Sequence, residues 1–152
     1  MCIMKKSIIA LLGAVMATAT LMAAPLTDDD RAIKYEQLPA KARTFIADHF
    51  PNVQPSYTFE DREHAHSEYK VLLESGAKIE FDGTGEWSDV ECHGCAVPAA
   101  IVPKKIADYV AKHYATSVIV EISRGRNEWD VKLNNGVELE FNRDYRLVDV
   151  DN

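Results

Sequence analysis

The sequence predicts an α+β domain made of two tandem α-β-β-β-β repeats, with the helices packed on one face of an antiparallel sheet. Three observations support this prediction. The chain contains the same segment twice, each copy opens with an amphipathic helical pattern, and each copy then changes to the two-residue alternation of strands. The two sets of strands could lie side by side or join edge to edge, and the sequence pattern leaves both arrangements open.

The internal repeat consists of three matched pairs of segments. They are LPAKARTFIADHF at 38–50 with VPKKIADYVAKHY at 102–114, EYKVLLESG at 68–76 with EWDVKLNNG at 128–136, and GAKIEFD at 76–82 with GVELEFN at 136–142. The first copy has four additional residues, most simply within 60–67. We therefore predict one domain over 35–152, built from repeats at 35–92 and 98–152 that a Cys-x-x-Cys linker joins.

The chain begins with the features of a secretory signal peptide. Lys5 and Lys6 provide a positive start, and a run rich in Ala, Leu and Met follows at 8–22. Residues 1–23 are predicted to be removed by cleavage after Ala23, which makes the mature protein periplasmic or secreted. The apolar run is short for a bilayer span of about 20 residues, so no membrane insertion is expected after cleavage.

The mature chain is acidic. The whole sequence has a formal net charge of −7, and loss of the two signal-peptide lysines leaves 15 basic residues against 24 acidic ones. This balance argues against nucleic acid, whose binding requires neutralisation of phosphates, and favours basic partners. We expect a flexible segment at 24–34, no cofactor, a monomer or weak dimer, and an unidentified protein partner in the cell envelope.

Each predicted helix has one apolar stripe on an otherwise charged segment. The stripe residues are Leu38, Ala42, Phe45, Ile46 and His49 in the first copy, and Val102, Ile106, Tyr109, Val110 and His113 in the second. Pro39 and Pro103 fit the first helical turn, where a missing N–H costs nothing, and Pro51 ends the first helix. We interpret His49 and His113 as partly buried histidines at the edge of the stripe.

Two hairpins follow from the alternation of apolar residues. Their apolar face contains Tyr69, Val71, Leu73, Ala77, Ile79 and Phe81 in the first copy, and Trp129, Val131, Leu133, Val137, Leu139 and Phe141 in the second. A three-residue loop places Leu73 opposite Ala77 and keeps this face apolar, whereas a two-residue loop would mix the faces. We therefore predict loops at 74–76 and 134–136 with Gly in the left-handed position. Further strands are predicted at 53–60 and 118–123.

A fourth strand of each copy is predicted near Trp87 and near Arg146. The alternation of residues places Trp87, like Trp129 and Tyr69, on the apolar face of its strand, so these three side chains are interpreted as core residues. A ligand platform is the less favoured alternative.

The opposite face of these strands is the candidate partner-binding surface. Its residues are Lys70, Leu72, Lys78, Glu80, Asp130, Lys132, Glu138 and Glu140. The predicted register places Lys70 opposite Glu80 and Lys132 opposite Glu138, as in ordinary cross-strand ion pairs, and Leu72 stands alone among charges. A solvated face without a ligand is the alternative.

Cys92 and Cys95 remain after removal of the signal peptide, and an even count in an exported chain predicts a disulfide. A redox-active pair is an alternative, which would need a stabilised thiolate. Free thiols are a second alternative, and a zinc site that uses these cysteines with His93 and with His64 and His66 is a third. We predict no metal, because nothing in the sequence brings these histidines to the cysteines.

The helix pattern Leu-Pro…Phe-Ile…His-Phe-Pro, the hairpin pattern Tyr/Trp-x-Val-x-Leu…Gly-x-x-Ile/Leu-Glu-Phe-Asp/Asn and the strand Trp87-Ser88-Asp89-Val90 resemble the PepSY-like family. The resemblance covers 35–151. It implies a small exported bacterial protein without an established enzymatic activity. The family is also described as β-lactamase-inhibitor-like because of a shared fold, and fold alone does not establish function. No inhibitory loop can be mapped onto this sequence residue by residue.

The sequence has no Ser-His-Asp set, phosphate loop or metalloprotease motif, and no catalytic residue is predicted. It therefore predicts a non-enzymatic exported binding module, with inhibition as one form of that role, which recognises another envelope or secreted protein through the sheet face. The alternative is a thiol–disulfide or metal-binding envelope protein that uses Cys92 and Cys95.

Overall fold

A computed structural model describes residues 30–62 and 67–151, and its elements confirm the α+β class. These residues form one nine-stranded antiparallel sheet and two α-helices. In chain order the elements are β1 Asp30–Ala32, α1 Ala40–His49, β2 Pro55–Asp61, β3 Glu68–Leu73, β4 Ala77–Phe81, β5 Trp87–Cys92, α2 Lys104–His113, β6 Ile119–Arg124, β7 Glu128–Leu133, β8 Glu138–Asn142 and β9 Leu147–Asp151. A short 3₁₀ helix at Tyr35–Gln37 precedes α1.

The order of the strands in the sheet follows their order in the chain. Each α-helix is followed by four strands, and the two sets of strands meet where β5 pairs with β6. Val90 lies opposite Ile122 at this junction, and both side chains are fully buried. The strand sets therefore join edge to edge in a continuous sheet, which decides between the two arrangements that the sequence left open.

The register of both hairpins is the predicted one. Val71 pairs with Ile79 in the first hairpin, and Val131 pairs with Leu139 in the second. The N–H of Gly76 donates to the carbonyl of Leu73 across 2.9 Å, closing the three-residue loop. Its φ of +85° lies in the left-handed region, where a residue without Cβ avoids a steric clash.

Both helices pack on the same face of the sheet. The ring of Phe45 in α1 meets Phe81 edge-on with centroids 5.7 Å apart, and Tyr109 in α2 meets Phe141 in the same way at 5.5 Å. The two phenylalanines are completely buried beneath the helices. The apolar strand faces predicted from the sequence therefore form one core, which both halves of the sheet share.

The remaining aromatic and histidine interpretations have mixed outcomes. Tyr69, Trp87 and Trp129 are partly buried and pack against the core. His49 is half-buried as predicted, but His113 is exposed, so the prediction of partial burial is wrong for His113. It stacks on Tyr109, one helical turn earlier, with ring centroids 4.3 Å apart.

Strand β1 corrects the prediction of a flexible segment for part of 24–34. Asp30–Ala32 pairs antiparallel with β2, and Arg31 lies opposite Glu60. Three residues without alternation carry no strand signal of their own, and the pairing is supplied by the free edge of β2. The predicted signal peptide and its cleavage after Ala23 lie outside the described residues, as do His64 and His66. Within the described ranges, neither helix is long and apolar enough to cross a membrane.

Adjacent leucines on β3 test the assignment of the two faces. Leu73 is 1% exposed in the core, whereas Leu72 points to the opposite face. We expect Leu73→Ala to lower the free energy of unfolding by about 2–5 kcal/mol, because it removes buried methyl groups and leaves a cavity. Leu72→Ala is the matched control, with an expected loss below about 1 kcal/mol. Urea denaturation measures both, and equal losses would contradict the assignment.

Candidate functional site

The candidate site is the open face of the sheet, defined as the face opposite α1 and α2. It is formed by every second residue of β2 to β9, because successive side chains of a strand point to opposite sides. All eight residues predicted for this face lie on it, and none of them is buried. They alternate along their strands with core residues such as Val71 and Val131.

The strand registers align the open-face residues in two rows that run across the sheet from β2 to β9. The first row is Phe59, Lys70, Glu80, Asp89, Ser123, Asp130, Glu140 and Asp149. The second row is Tyr57, Leu72, Lys78, Glu91, Glu121, Lys132, Glu138 and Asp151. In both rows aromatic or apolar residues come first, lysine follows, and carboxylates dominate from β5 onwards.

The prediction from sequence missed the open-face residues of β2, β5, β6 and β9. Six of the missed residues are acidic: Asp61, Asp89, Glu91, Glu121, Asp149 and Asp151. The alternation of WSDVEC in β5 was a usable signal, since Val90 and Cys92 are buried and the carboxylates between and before them are not. The pairing of β5 with β6 had no comparable local signal, so the sequence did not bring these residues together.

An aromatic patch, defined as Tyr57, Phe59 and Leu72, occupies the β2–β3 end of the open face. Tyr57 lies opposite Leu72 in the register and is 58% exposed. The rings of Tyr57 and Phe59 are nearly parallel, with an interplanar angle of 16° and centroids 6.2 Å apart. Leu72 is therefore not isolated among charges, which corrects the interpretation from sequence. That interpretation considered only the two central hairpins and left out β2.

The acidic half, defined as the open-face residues of β6 to β9, occupies the other end. It contains Glu121, Ser123, Asp130, Lys132, Glu138, Glu140, Asp149 and Asp151. Its one cationic side chain, Lys132, forms an ion pair with Glu138 across 2.6 Å, which agrees with the predicted cross-strand pair. These strands enclose a shallow, open pocket of about 230 Å³, lined mainly by carboxylates. The acidic half therefore has a large excess of negative charge.

Like charges face each other where the two strand sets join. Glu91 lies opposite Glu121 across the β5–β6 junction, and Glu80 lies opposite Asp89 across the β4–β5 pair. Burial raises the pKa of Asp89 to about 7, and the negative charges of Glu121 and Glu80 add to this shift. Burial and the neighbouring Glu91 also raise the pKa of Glu121. The junction therefore holds its carboxylates under mutual repulsion.

The lysines at the other end of the face are already paired. Lys78 contacts both Glu80 and Glu91, with each nitrogen–oxygen distance 3.3 Å. Lys70 lies opposite Glu80 in the register, as predicted, but its ammonium contacts Asp61 at 3.2 Å. These lysines are engaged by neighbouring carboxylates, so they do not neutralise the acidic half.

The Cys-x-x-Cys segment lies at the end of β5, and its cysteines are free thiols in the structure. Cys92 is buried on the core side and Cys95 is exposed. Burial raises the pKa of Cys92 to about 12, with a further contribution from its hydrogen bond to Cys95. A thiol with this pKa is almost entirely protonated at neutral pH and is a poor nucleophile. The disulfide stays a prediction. Among the described residues, no group of three or more His, Cys, Asp or Glu could hold a metal ion.

A protein-family model described as "Putative beta-lactamase-inhibitor-like, PepSY-like" matches residues 67–149. No curated protein sequence matches the chain significantly. Three of the solved structures with similar folds come from Bacteroides.

A "putative periplasmic protein from DUF2874 family" of Bacteroides vulgatus is 38% identical, with a TM-score of 0.79, and the match covers 82% of this chain and 98% of that one. A "putative calcium-regulated periplasmic protein" of Bacteroides thetaiotaomicron is 35% identical, with a TM-score of 0.80 and the same coverage. A "putative periplasmic protein of unknown function" of Bacteroides vulgatus is 27% identical, with a TM-score of 0.77, covering 81% of this chain and 99% of that one.

The raised pKa of Asp89 makes stability depend on pH. The folded protein holds the Asp89 proton up to about pH 7, whereas the unfolded chain releases it near the ordinary value of 3.8. The free energy of unfolding should therefore fall as the pH rises from about 4 to above 7. Asparagine at position 89 cannot titrate, so Asp89→Asn should remove this part of the pH dependence of the unfolding free energy. The gain in unfolding free energy over the wild type should therefore be largest at about pH 8 and smallest below about pH 4.

Urea denaturation of the wild type and of D89N at about pH 5 and about pH 8 measures this effect. Asp149→Asn changes an exposed carboxylate on the same face and should keep the wild-type slope. A D89N slope equal to that of the wild type would show that Asp89 ionises normally.

Proposed function

We propose that this chain, which belongs to the PepSY-like family, is a non-enzymatic periplasmic module that recognises another protein through its open face. The family match spans more than half of the chain, and the similar structures are described as periplasmic proteins, which supports this location. Export by the predicted signal peptide, with cleavage after Ala23, is part of the proposal.

The observation that carries the proposal is the composition of the open face. Tyr57 is more than half exposed beside Phe59 and Leu72, whereas most surface aromatic residues of this chain pack against the core. Exposed tyrosine and phenylalanine are enriched in protein interfaces, where they supply large contact area at low cost in side-chain entropy. A contiguous exposed apolar patch on an otherwise charged face marks a candidate interaction site.

We infer that the binding module arose by duplication of one helix and four strands. The turns after β4 and β8 support this inference, because Asp82 and Asn142 hold them in the same way. The Oδ1 of Asp82 accepts hydrogen bonds from the N–H groups of Thr84 and Glu86, and the Oδ1 of Asn142 accepts from those of Asp144 and Arg146. Register shifts also occur at equivalent places, between Glu80 and Phe81 and between Glu140 and Phe141.

Thiol or metal chemistry at Cys92 and Cys95 is the weaker candidate function. A redox pair needs one thiol with a lowered pKa, and burial has the opposite effect on Cys92. Calcium regulation is stated for the Bacteroides thetaiotaomicron relative. The described residues of this chain contain no group suited to hold a metal, so calcium is not part of the proposal.

Site-specific photo-crosslinking in the producing cell tests recognition through the open face. A photoreactive amino acid at Leu72 or Glu140 should yield a crosslinked partner, because both positions lie on the open face. The same amino acid at Asp48 or Lys112, which are exposed on the two helices, is the matched control and should yield none. Crosslinks from the helix positions alone, or from no position, would contradict the proposal.

Thiol counting tests the alternative. In the folded protein at about pH 8 we expect Cys92 to resist an alkylating reagent, since a buried thiol of raised pKa provides almost no thiolate. Mass spectrometry before and after reduction reports whether the predicted disulfide is present. Rapid alkylation of Cys92, or a disulfide that exchanges with a thioredoxin-type protein, would favour the thiol–disulfide function.

A further inference from the structure

We propose that the open face takes a partner segment that combines a block of lysine or arginine with one large apolar side chain at a fixed spacing. This inference rests on the proposed function and specifies the partner's chemistry. The basic block lies over the acidic half, and the apolar side chain lies on the aromatic patch.

The first observation is that equivalent positions of the two halves differ in chemistry although their backbones correspond. The registers make Tyr57 equivalent to Glu121, and Leu72 equivalent to Lys132. The equivalent of Lys78 on β4 is Glu138 on β8. A face whose only task is to be solvated does not require an aromatic patch at one end and an acidic half at the other, so we assign these two regions to two different elements of one ligand.

The second observation is that the acidic half carries charge that its own residues do not neutralise. Its one lysine is paired with Glu138, while Asp130 lies opposite Glu140, and Glu140 lies opposite Asp149. Directly opposed carboxylates destabilise a sheet and create a negative potential over the shared surface. A cationic segment complements that potential, whereas an acidic or neutral one does not.

The third observation is the separation of the two ends. Neighbouring strands lie about 4.8 Å apart, and five strand spacings separate the middle of the aromatic patch from the middle of the acidic half, which gives about 24 Å. An extended chain advances about 3.3 Å per residue, so about seven residues span this distance. The segment therefore needs its apolar side chain about seven residues from the centre of its basic block.

Synthetic peptides and the full mature chain test this arrangement. The first peptide joins one tryptophan to a short lysine block through a Gly/Ser spacer of about seven residues, and the second shortens the spacer to about two. Two further peptides lack either the tryptophan or the lysines. We expect the first peptide to bind at least about tenfold more tightly than the other three in fluorescence anisotropy at low salt, because only it reaches both ends at once.

Charge and patch variants locate the binding. The double variant Glu138→Lys with Glu140→Lys should lower the affinity for the first peptide by about tenfold or more. The double variant Tyr57→Ser with Leu72→Ser should lower it to a similar extent. Asp48→Lys reverses an exposed charge on α1 and is the matched control, with an expected change below about twofold. Urea denaturation and circular dichroism verify that each variant is folded. An equal loss of peptide affinity in the Asp48→Lys control, or a peptide affinity that does not depend on spacer length, would overturn the inference.

The crosslinking experiment separates failure of this inference from failure of the proposed function. A partner captured from Leu72 and Glu140 that contains no basic segment near its crosslinked residues would overturn the inference while the open face remains a binding surface. A captured partner with such a segment would support both this inference and the proposed function if the tryptophan–lysine peptide displaces a peptide of that segment from the mature chain.

Discussion

The pairing register of the two central hairpins is the constraint on which the rest of the structure depends. Val71 with Ile79, and Val131 with Leu139, place the apolar residues of these strands under the helices, with the exception of Leu72. A slip by one residue would turn the core residues to the solvent and the charged rows into the core, at a cost far above the stability of a small domain. The register of the core therefore determines which positions form the open face, although it does not determine which residue types occupy them.

This constraint also explains why much of the fold could be predicted from the sequence. Alternation and loop length are local properties, and the pairing of Leu73 with Ala77 follows from them without knowledge of distant residues. The helices follow in the same way from a stripe that covers the strands. The fold class, both hairpins and the eight candidate residues on the open face were therefore accessible from the sequence.

Features that depend on which strand edges meet were not accessible. The alternation of side chains along β5 predicts on which face of the sheet Asp89 lies, but it does not predict that Glu121 lies on the neighbouring strand. The raised pKa of Asp89 and the continuous sheet both follow from that pairing. The same holds for β1, whose three residues pair only because β2 offers a free edge, and for Leu72, whose aromatic neighbour Tyr57 comes from a strand outside the hairpin. Local patterns determine faces, whereas neighbours across the sheet are set by the complete topology.

Two local features of the structure cost stability. Tyr145 adopts a φ of +62°, in the left-handed region that its counterpart in the first half fills with Gly85, and a bulky residue there is strained. Its ring lies 5.7 Å from Trp129, and Lys105 lies over the ring, so contacts offset that strain. Within the described chain, the repulsion among Glu91, Glu121 and their neighbours is offset only by contacts with Lys78, Lys132 and His93.

Natural sequences retain local conflicts of this kind mainly where function requires them. A neutral or mixed-charge face would satisfy the fold equally well, because none of these carboxylates contributes to the buried core. Under the proposed function, the concentration of carboxylates at the β5–β6 junction and over the acidic half serves the partner segment that binds this face, because folding does not require it. A cationic surface relieves the repulsion on contact, and the gain is largest where the carboxylates oppose one another most closely.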